Sequence, residues 1–267
     1  MSLRLALLAP ALAALLAFFL LPLARLVAAG WENGGAVGYL ATLSEPRHLV
    51  ALRDTVLLSA AVAFVSVALA AVVGTVLARR RFPGRRLLVA LMTLPLAFPG
   101  VVVGFMVILL AGRQGVIGGA TEALTGERLV FAYSLAGLAL GYLYFSLPRC
   151  VVTVMAAAEG LDPALEEAAR SLGAGPWRVV RDVILPGLAP ALVASGAIVF
   201  ATCMGALGTA FTLATDIRVL PMVIYTEFTL ATNFATAAAL SVLLGVVTWL
   251  ALAIARIFGG GSVAAQA

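Results

Sequence analysis

The sequence predicts an all-α, polytopic membrane protein with six transmembrane helices, and three observations predict it. Of 267 residues, 63% are hydrophobic and 11% charged, against roughly 45–50% and 25% in soluble proteins, with a mean hydropathy of +1.14. Six apolar stretches are long enough to cross a hydrocarbon core of about 30 Å, which takes about 20 helical residues. No ten-residue alternation of a membrane barrel occurs, so the backbone in lipid must satisfy its hydrogen bonds inside helices.

The spans run approximately from Leu5 to Val27, Thr55 to Ala78, Leu87 to Ala111, Leu129 to Leu147, Leu188 to Thr215 and Thr229 to Ala255. The first has an arginine before it and small residues after it, as a cleaved leader does, but its apolar run exceeds the 7–15 residues of a signal core, so a retained helix is expected. Pro95, Pro99 and Gly100 interrupt the third; each proline removes a backbone donor and crowds the preceding turn, so a kink is expected there. That kink suits a gate and equally a static bend filled by neighbours. Gly100 with Gly104, and Gly137 with Gly141, match small-residue spacing that lets helix backbones approach, here read as packing within the bundle.

Charge distribution sets the expected orientation. All seventeen basic residues are arginine. Placing both termini on the cytoplasmic side puts eleven of them inside, including the turn Arg79-Arg80-Arg81-Phe82-Pro83-Gly84-Arg85-Arg86, in accord with the positive-inside rule. That turn reads as a topology determinant beside anionic headgroups. The net charge of +5 does not form a soluble basic patch interleaved with aromatics, which argues against nucleic acid.

Several function classes fall away. The central parts of the spans lack Asp, Glu, Arg and His, which disfavours an ion-coupled carrier. One histidine, His48, read as a solvated residue of an outer loop, and two distant cysteines, Cys150 and Cys203, give neither a metal site nor a disulfide framework. No nucleophile and base pair suggests a membrane enzyme. With no lysine in the chain there is no phosphate-binding Gly-Lys-Ser/Thr loop, so no nucleotide cofactor is expected on this chain.

The one sizeable polar insertion runs from about residue 149 to 187. Asp162-Pro163 is a helix start, with Glu166 and Glu167 near its positive end. Leu165, Ala168, Ala169 and Leu172 follow at i, i+3, i+4 and i+7, an apolar stripe opposite Glu166, Glu167, Arg170 and Ser171. Gly173 ends this helix, and Gly175-Pro176 opens a second on which Trp177, Val180 and Ile184 share a side and Arg178 can pair with Asp182. The expectation is a pair of short helices joined by a glycine elbow, resting against the cytoplasmic ends of the bundle.

These residues carry a family resemblance. Glu167-Ala168-Ala169, three residues, Gly173, nine residues, Val183, one residue, Leu185-Pro186 resembles the EAA signature of the permease subunits of bacterial ATP-binding-cassette importers, with Val183 in place of isoleucine as the one departure. The resemblance implies a single transmembrane domain over 1–267 with the type I importer permease fold, whose coupling-helix pair lies between spans four and five. It also implies a multi-pass inner-membrane protein that is no enzyme itself. Its partners would be two cytoplasmic ATP-binding subunits, a second permease subunit and an extracytoplasmic solute-binding protein. Glu166, Glu167, Ala168, Ala169, Arg170, Ser171, Gly173, Ala174 and Gly175 would form the ATPase-coupling surface.

Pathway candidates are the polar groups Thr202, Thr209, Thr212, Asp216, Tyr225 and Glu227, although serines and threonines in such helices more often bond their own backbone. The overall pattern is similar to permeases of polyamine, ferric-iron, phosphonate and molybdate or sulfate systems. Asp216 and Glu227 would suit a polyamine. The rival from another class is a membrane scaffold that uses the loop only to recruit a cytoplasmic partner.

Overall fold

The computed structural model describes residues 3–32, 34–213 and 217–259, and Asp216, a pathway candidate, lies outside them. Among these residues there are helices and no strands. In chain order they are α1 (Leu3–Leu15), α2 (Leu21–Trp31), α3 (Gly35–Ser44), α4 (Pro46–Arg79), α5 (Arg85–Thr93), α6 (Gly100–Ala111), α7 (Val116–Thr125), α8 (Leu135–Glu159), α9 (Pro163–Ser171), α10 (Pro176–Val179), α11 (Leu185–Met204), α12 (Leu207–Leu213), α13 (Leu220–Thr229) and α14 (Phe234–Gly259). Among the described residues, six helical stretches are long and apolar enough to cross a membrane: Leu8–Trp31, Pro46–Arg79, Gly100–Thr125, Leu135–Glu159, Pro176–Met204 and Phe234–Ile257.

Prolines explain most departures from straight rods. Two wide π-turns, Leu16–Leu20 and Val180–Ile184, each end two residues before a proline, Pro22 and Pro186. A π-turn shifts the hydrogen-bond register by one residue, so the proline's missing donor falls where the ladder is already interrupted. The helix therefore continues unbroken from Pro176 to Met204, and the second of the two short helices expected after the elbow is the start of a span. The same widening displaces the anticipated Arg178–Asp182 pair; Asp182 lies 3.9 Å from Arg181 instead.

At Pro95 and Pro99 the helix breaks outright. A 3-10 turn covers Leu94–Ala97, Phe98 and Pro99 are extended, and α6 restarts at Gly100. Pro148, by contrast, sits buried in the middle of α8, which runs on to Glu159. The loop expected to begin near residue 149 thus begins at residue 160.

The chain divides into two compact units, Met1–Arg53 with Arg218–Val247, and Asp54–Ile217 with Thr248–Ala267. In the first, Ala51, Leu220 and Leu240 form a buried cluster flanked by Leu52, Val223, Ile224 and Leu244. Its α2–α3 hairpin is pinned by the Tyr39 hydroxyl, which donates to the Val27 carbonyl at 3.0 Å; burial raises that phenol's pKa above its ordinary value. His48 is not a solvated loop residue. It stands on the first turn of α4, 1% exposed, with Nδ1 2.7 Å from the Thr42 carbonyl, an acceptor only, so Nδ1 carries the proton.

In the second unit α6, α8 and α12 converge. Val103, Leu138, Tyr142 and Met204 are fully buried there. The break between α11 and α12 frees backbone carbonyls, and the Tyr142 hydroxyl donates to that of Ala206 at 2.7 Å. Glycines set the helix spacing: a Cβ on Gly104 would stand 2.6 Å from Thr212 Cβ, and one on Gly141 2.7 Å from Thr209 Cγ2. Both small-residue pairs contain a glycine pressed against α12, so at those positions they serve packing within the unit.

Candidate coupling loop and membrane cavity

The loop between α8 and the Pro176–Met204 helix is built by its caps. Asp162 Oδ1 accepts the Ala164 amide at 2.9 Å and Pro163 occupies the first turn of α9, as the capping chemistry predicts. At the other end Gly173 adopts φ +83, a conformation that favours glycine. Its amide donates to the Arg170 carbonyl at 2.9 Å and that of Ala174 to Ala169 at 3.0 Å, the paired bonds of a Schellman turn.

The apolar stripe of α9 is not the face that packs on the bundle. Leu165, Ala168 and Leu172 point outward, Leu172 being 89% exposed, and Trp177 beyond the elbow is 71% exposed. Only Ala169 of the stripe is half-buried. The residue that turns inward is Glu166, 8% exposed, because it has charged partners there. Its Oε1 lies 2.5 Å from Arg79 at the end of α4, and its Oε2 3.2 Å from Arg170 one turn along α9. The Arg79 contact rests on charge, its angles not being those of a hydrogen bond.

A second clamp repeats the pattern. Arg85 at the start of α5 meets Glu159 at the end of α8 at 2.5 Å, and its Nε donates to the Leu77 carbonyl at 2.6 Å. Two arginines of the basic turn are therefore spent on holding the loop, not only on headgroups. Of the other predicted coupling residues, Glu167, Arg170, Ser171, Gly173 and Gly175 are exposed and Ala174 is half-buried. The surface offered is small, apolar and rimmed by Glu167 and Arg170.

The pathway candidates do not form one cluster. Thr209 is buried, and its hydroxyl donates to the Gly100 carbonyl at 3.0 Å; Thr212 bonds the Val101 and Gly208 carbonyls, and Thr202 that of Ile198. These hydroxyls mend the backbone at the Pro99–Gly100 break and along their own helices. Glu227 belongs to the first unit with Tyr225, and its buried carboxylate lies 3.2 Å from Arg47. A carboxylate so neutralised is not free to receive a polyamine, and that expectation loses its footing.

A cavity of about 330 Å³ opens beside the Pro99–Gly100 break, lined by Phe98, Gly100, Phe145, Arg149, Gly208 and Thr209 among others. A second, of about 640 Å³, follows α8 along Arg149, Val152, Thr153, Ala156 and Ala157 to Ile198. A third of about 480 Å³ is lined by side chains such as Leu69, Met92, Val107, Leu140 and Pro148, none of them charged. Sequence reasoning missed Arg149 by ending the fourth span at Leu147. The signal was present: ten residues with no other charge follow Pro148 before Glu159, so Arg149 interrupts an apolar run and does not close it.

The comparisons with known proteins agree with this architecture. The family described as "Binding-protein-dependent transport system inner membrane component" matches residues 70–260. The chain is 38% identical over 154 residues to the molybdenum transport system permease protein ModB of Escherichia coli (strain K12), covering 56% of this chain and 66% of that protein, just under two thirds of its length. It is 35% identical over 198 residues to the sulfate transport system permease protein CysT of the same organism, covering 74% and 70%. Among solved structures, a chain of a bacterial alginate ABC transporter in complex with an alginate pentasaccharide-bound periplasmic protein matches with a TM-score of 0.79 at 18% identity over 95% of this chain and 92% of that one. A chain of the MetNI methionine ABC transporter in an inward-facing conformation matches with a TM-score of 0.61 at 22% identity over 80% and 97%. At those identities the structural likeness is one of fold, and the fold is the all-α importer permease fold that the EAA spacing implies.

Proposed function

The chain belongs to the inner membrane components of binding-protein-dependent transport systems, and we propose that it forms half of the membrane pathway of an ATP-driven importer for a tetrahedral oxyanion of the sulfate or molybdate kind. The observation that carries the reading is the outward-facing EAA surface, with Glu167, Ala168, Leu172 and Trp177 turned to solvent while Glu166 anchors the loop from within. An exposed apolar patch of this kind asks for a protein partner, here one of two cytoplasmic ATPase subunits that hold ATP and Mg²⁺. A second permease subunit completes the pathway and an extracytoplasmic binding protein delivers the solute. Both termini are then cytoplasmic, on the side of the arginine-rich turn. The oxyanion replaces the polyamine because the relatives named for their solutes are molybdenum and sulfate systems and because Glu227 is already paired with Arg47.

The test is purification through a tag on this chain, with reconstitution of whatever assembles around it. The parent should bring down an ATPase and take up ³⁵S-sulfate or ⁹⁹Mo-molybdate on ATP addition. Trp177→Asp with Leu172→Asp should lose the ATPase, since truncating a central aromatic anchor costs about 2 kcal/mol or more. Recovery of no ATPase with the parent would favour the scaffold reading. ATP-driven uptake of spermidine but of neither anion would refute the solute.

The elbow supplies a separate check. Nothing lies within 4 Å of a Cβ built on Gly173, so Gly173→Val meets no clash and suffers only from its φ of +83, a strain of about 1–2 kcal/mol. The variant should express normally yet show reduced solute-stimulated ATP hydrolysis. Unchanged stimulation would remove the elbow from the coupling surface.

A further inference from the structure

We infer that Arg149 is an anion-binding residue of the translocation pathway, holding the oxyanion at the helix break of the third span before its release along α8. The inference rests on the oxyanion reading above. It is carried by the placement of one side chain. Arg149 lies inside the span Leu135–Glu159, ten residues and about 15 Å of helix from Glu159. Its guanidinium is exposed and, among the described residues, has neither an ion pair nor a hydrogen bond; only its carbonyl is engaged, by the Thr153 hydroxyl at 3.0 Å.

Arginines inside spans characteristically pair within the protein or mark a solute or ion pathway, and two arginines at the helix ends of this unit show what pairing looks like here. Arg79 and Arg85, at the loop-bearing end, each meet a carboxylate at 2.5 Å. Arg149 meets cavities instead: it walls both the 330 Å³ space beside the Pro99–Gly100 break and the 640 Å³ space that follows α8. Neither lining contains an acid, so the single charge of both is positive. The side chains beyond Arg149 shrink to Thr153, Ala156 and Ala157 on one helical face, leaving room for a solute to pass. The guanidinium fork matches two oxygens of a tetrahedral dianion, whereas the uncharged 480 Å³ cavity offers such a solute nothing.

The experiment is uptake of ³⁵S-sulfate and ⁹⁹Mo-molybdate by the complete transporter, purified through this chain and reconstituted in phosphatidylcholine vesicles, for the parent, Arg149→Gln and Arg149→Lys. Arg149→Gln should lower uptake at least about tenfold and Arg149→Lys much less, since lysine keeps the charge without the fork. Removing a charge from a span does not endanger insertion, and co-purification of the ATPase reports that the variant is folded. Parental uptake with undiminished uptake by Arg149→Gln overturns the site and leaves the solute reading standing. Uptake of neither anion by the parent overturns the solute reading and the site with it. A defect seen only when phosphatidylglycerol is added assigns the arginine to a lipid headgroup, which also overturns the site.

Discussion

Glu166→Ala is expected to reduce ATP-driven uptake at least tenfold while leaving the chain inserted and abundant. The carboxylate is the meeting point of Arg79 and Arg170. Arg79 keeps only 25% of its side chain exposed, so truncating Glu166 strands a mostly buried cation. Removing one member of such a pair costs about 2–5 kcal/mol, much of it the penalty on the charge left behind. The six spans do not depend on that contact, but the angle at which α9 leaves the bundle does. Removing both partners, Arg79→Gln with Glu166→Ala, should recover part of the loss, because no mostly buried charge is then stranded and Arg170 stays solvated. A double-mutant cycle on uptake and on stimulated hydrolysis measures the coupling. A double variant no better than Glu166→Ala alone would show that the carboxylate acts other than through Arg79.

The adjacent acids Glu166 and Glu167 show how much of this site the sequence reveals. Their place on a capped helix, the Asp162-Pro163 start and the Gly173 stop are all legible, since each rests on local chemistry between residues a few positions apart. The faces of that helix are not. Periodicity finds an apolar stripe through Leu165, Ala168 and Leu172 but cannot say whether its cover is the same chain or another protein, and the structure leaves it open. What turns α9 over is Arg79, 87 positions before Glu166, a pairing no local pattern encodes. The same holds for Glu227 with Arg47, 180 positions apart.

Six spans are legible for the opposite reason, because hydropathy over about 20 residues integrates out local detail. Their ends are less so. The fourth is read to end at Leu147, yet the donor that Pro148 lacks is tolerated inside a packed membrane helix, and α8 runs on past it. That single misplacement put Arg149 in a loop and hid the charge that walls two of the cavities. The fifth is read to begin at Leu188, yet the helix starts at Pro176 and passes Pro186, whose cost the π-turn before it absorbs.

Gly104→Leu is expected to be the most damaging substitution for assembly. α12 is seven residues long, too short to hold its place by its own hydrogen bonds, and it is kept by close approach to α6 and α8. A Cβ at Gly104 already falls 2.6 Å from Thr212 Cβ and 3.0 Å from its Cγ2. Thr212 Cβ is fixed to the backbone, so relief requires α12 to move away from α6, and the Thr209–Gly100 and Thr212–Val101 hydrogen bonds lengthen with it. Overpacking of this kind costs about 1–3 kcal/mol, and each hydrogen bond lost adds about 1 kcal/mol. The detergent-solubilised variant should aggregate at a clearly lower temperature than the parent. Gly119→Ala is the control: it lies within α7, nothing stands within 4 Å of its added Cβ, and helix propensity favours alanine by about 1 kcal/mol, so its midpoint should hold or rise. Equal midpoints for Gly104→Leu and the parent would mean that α12 is held by something other than the glycine contact, and the Thr209 and Thr212 hydrogen bonds would then have to bear its position alone.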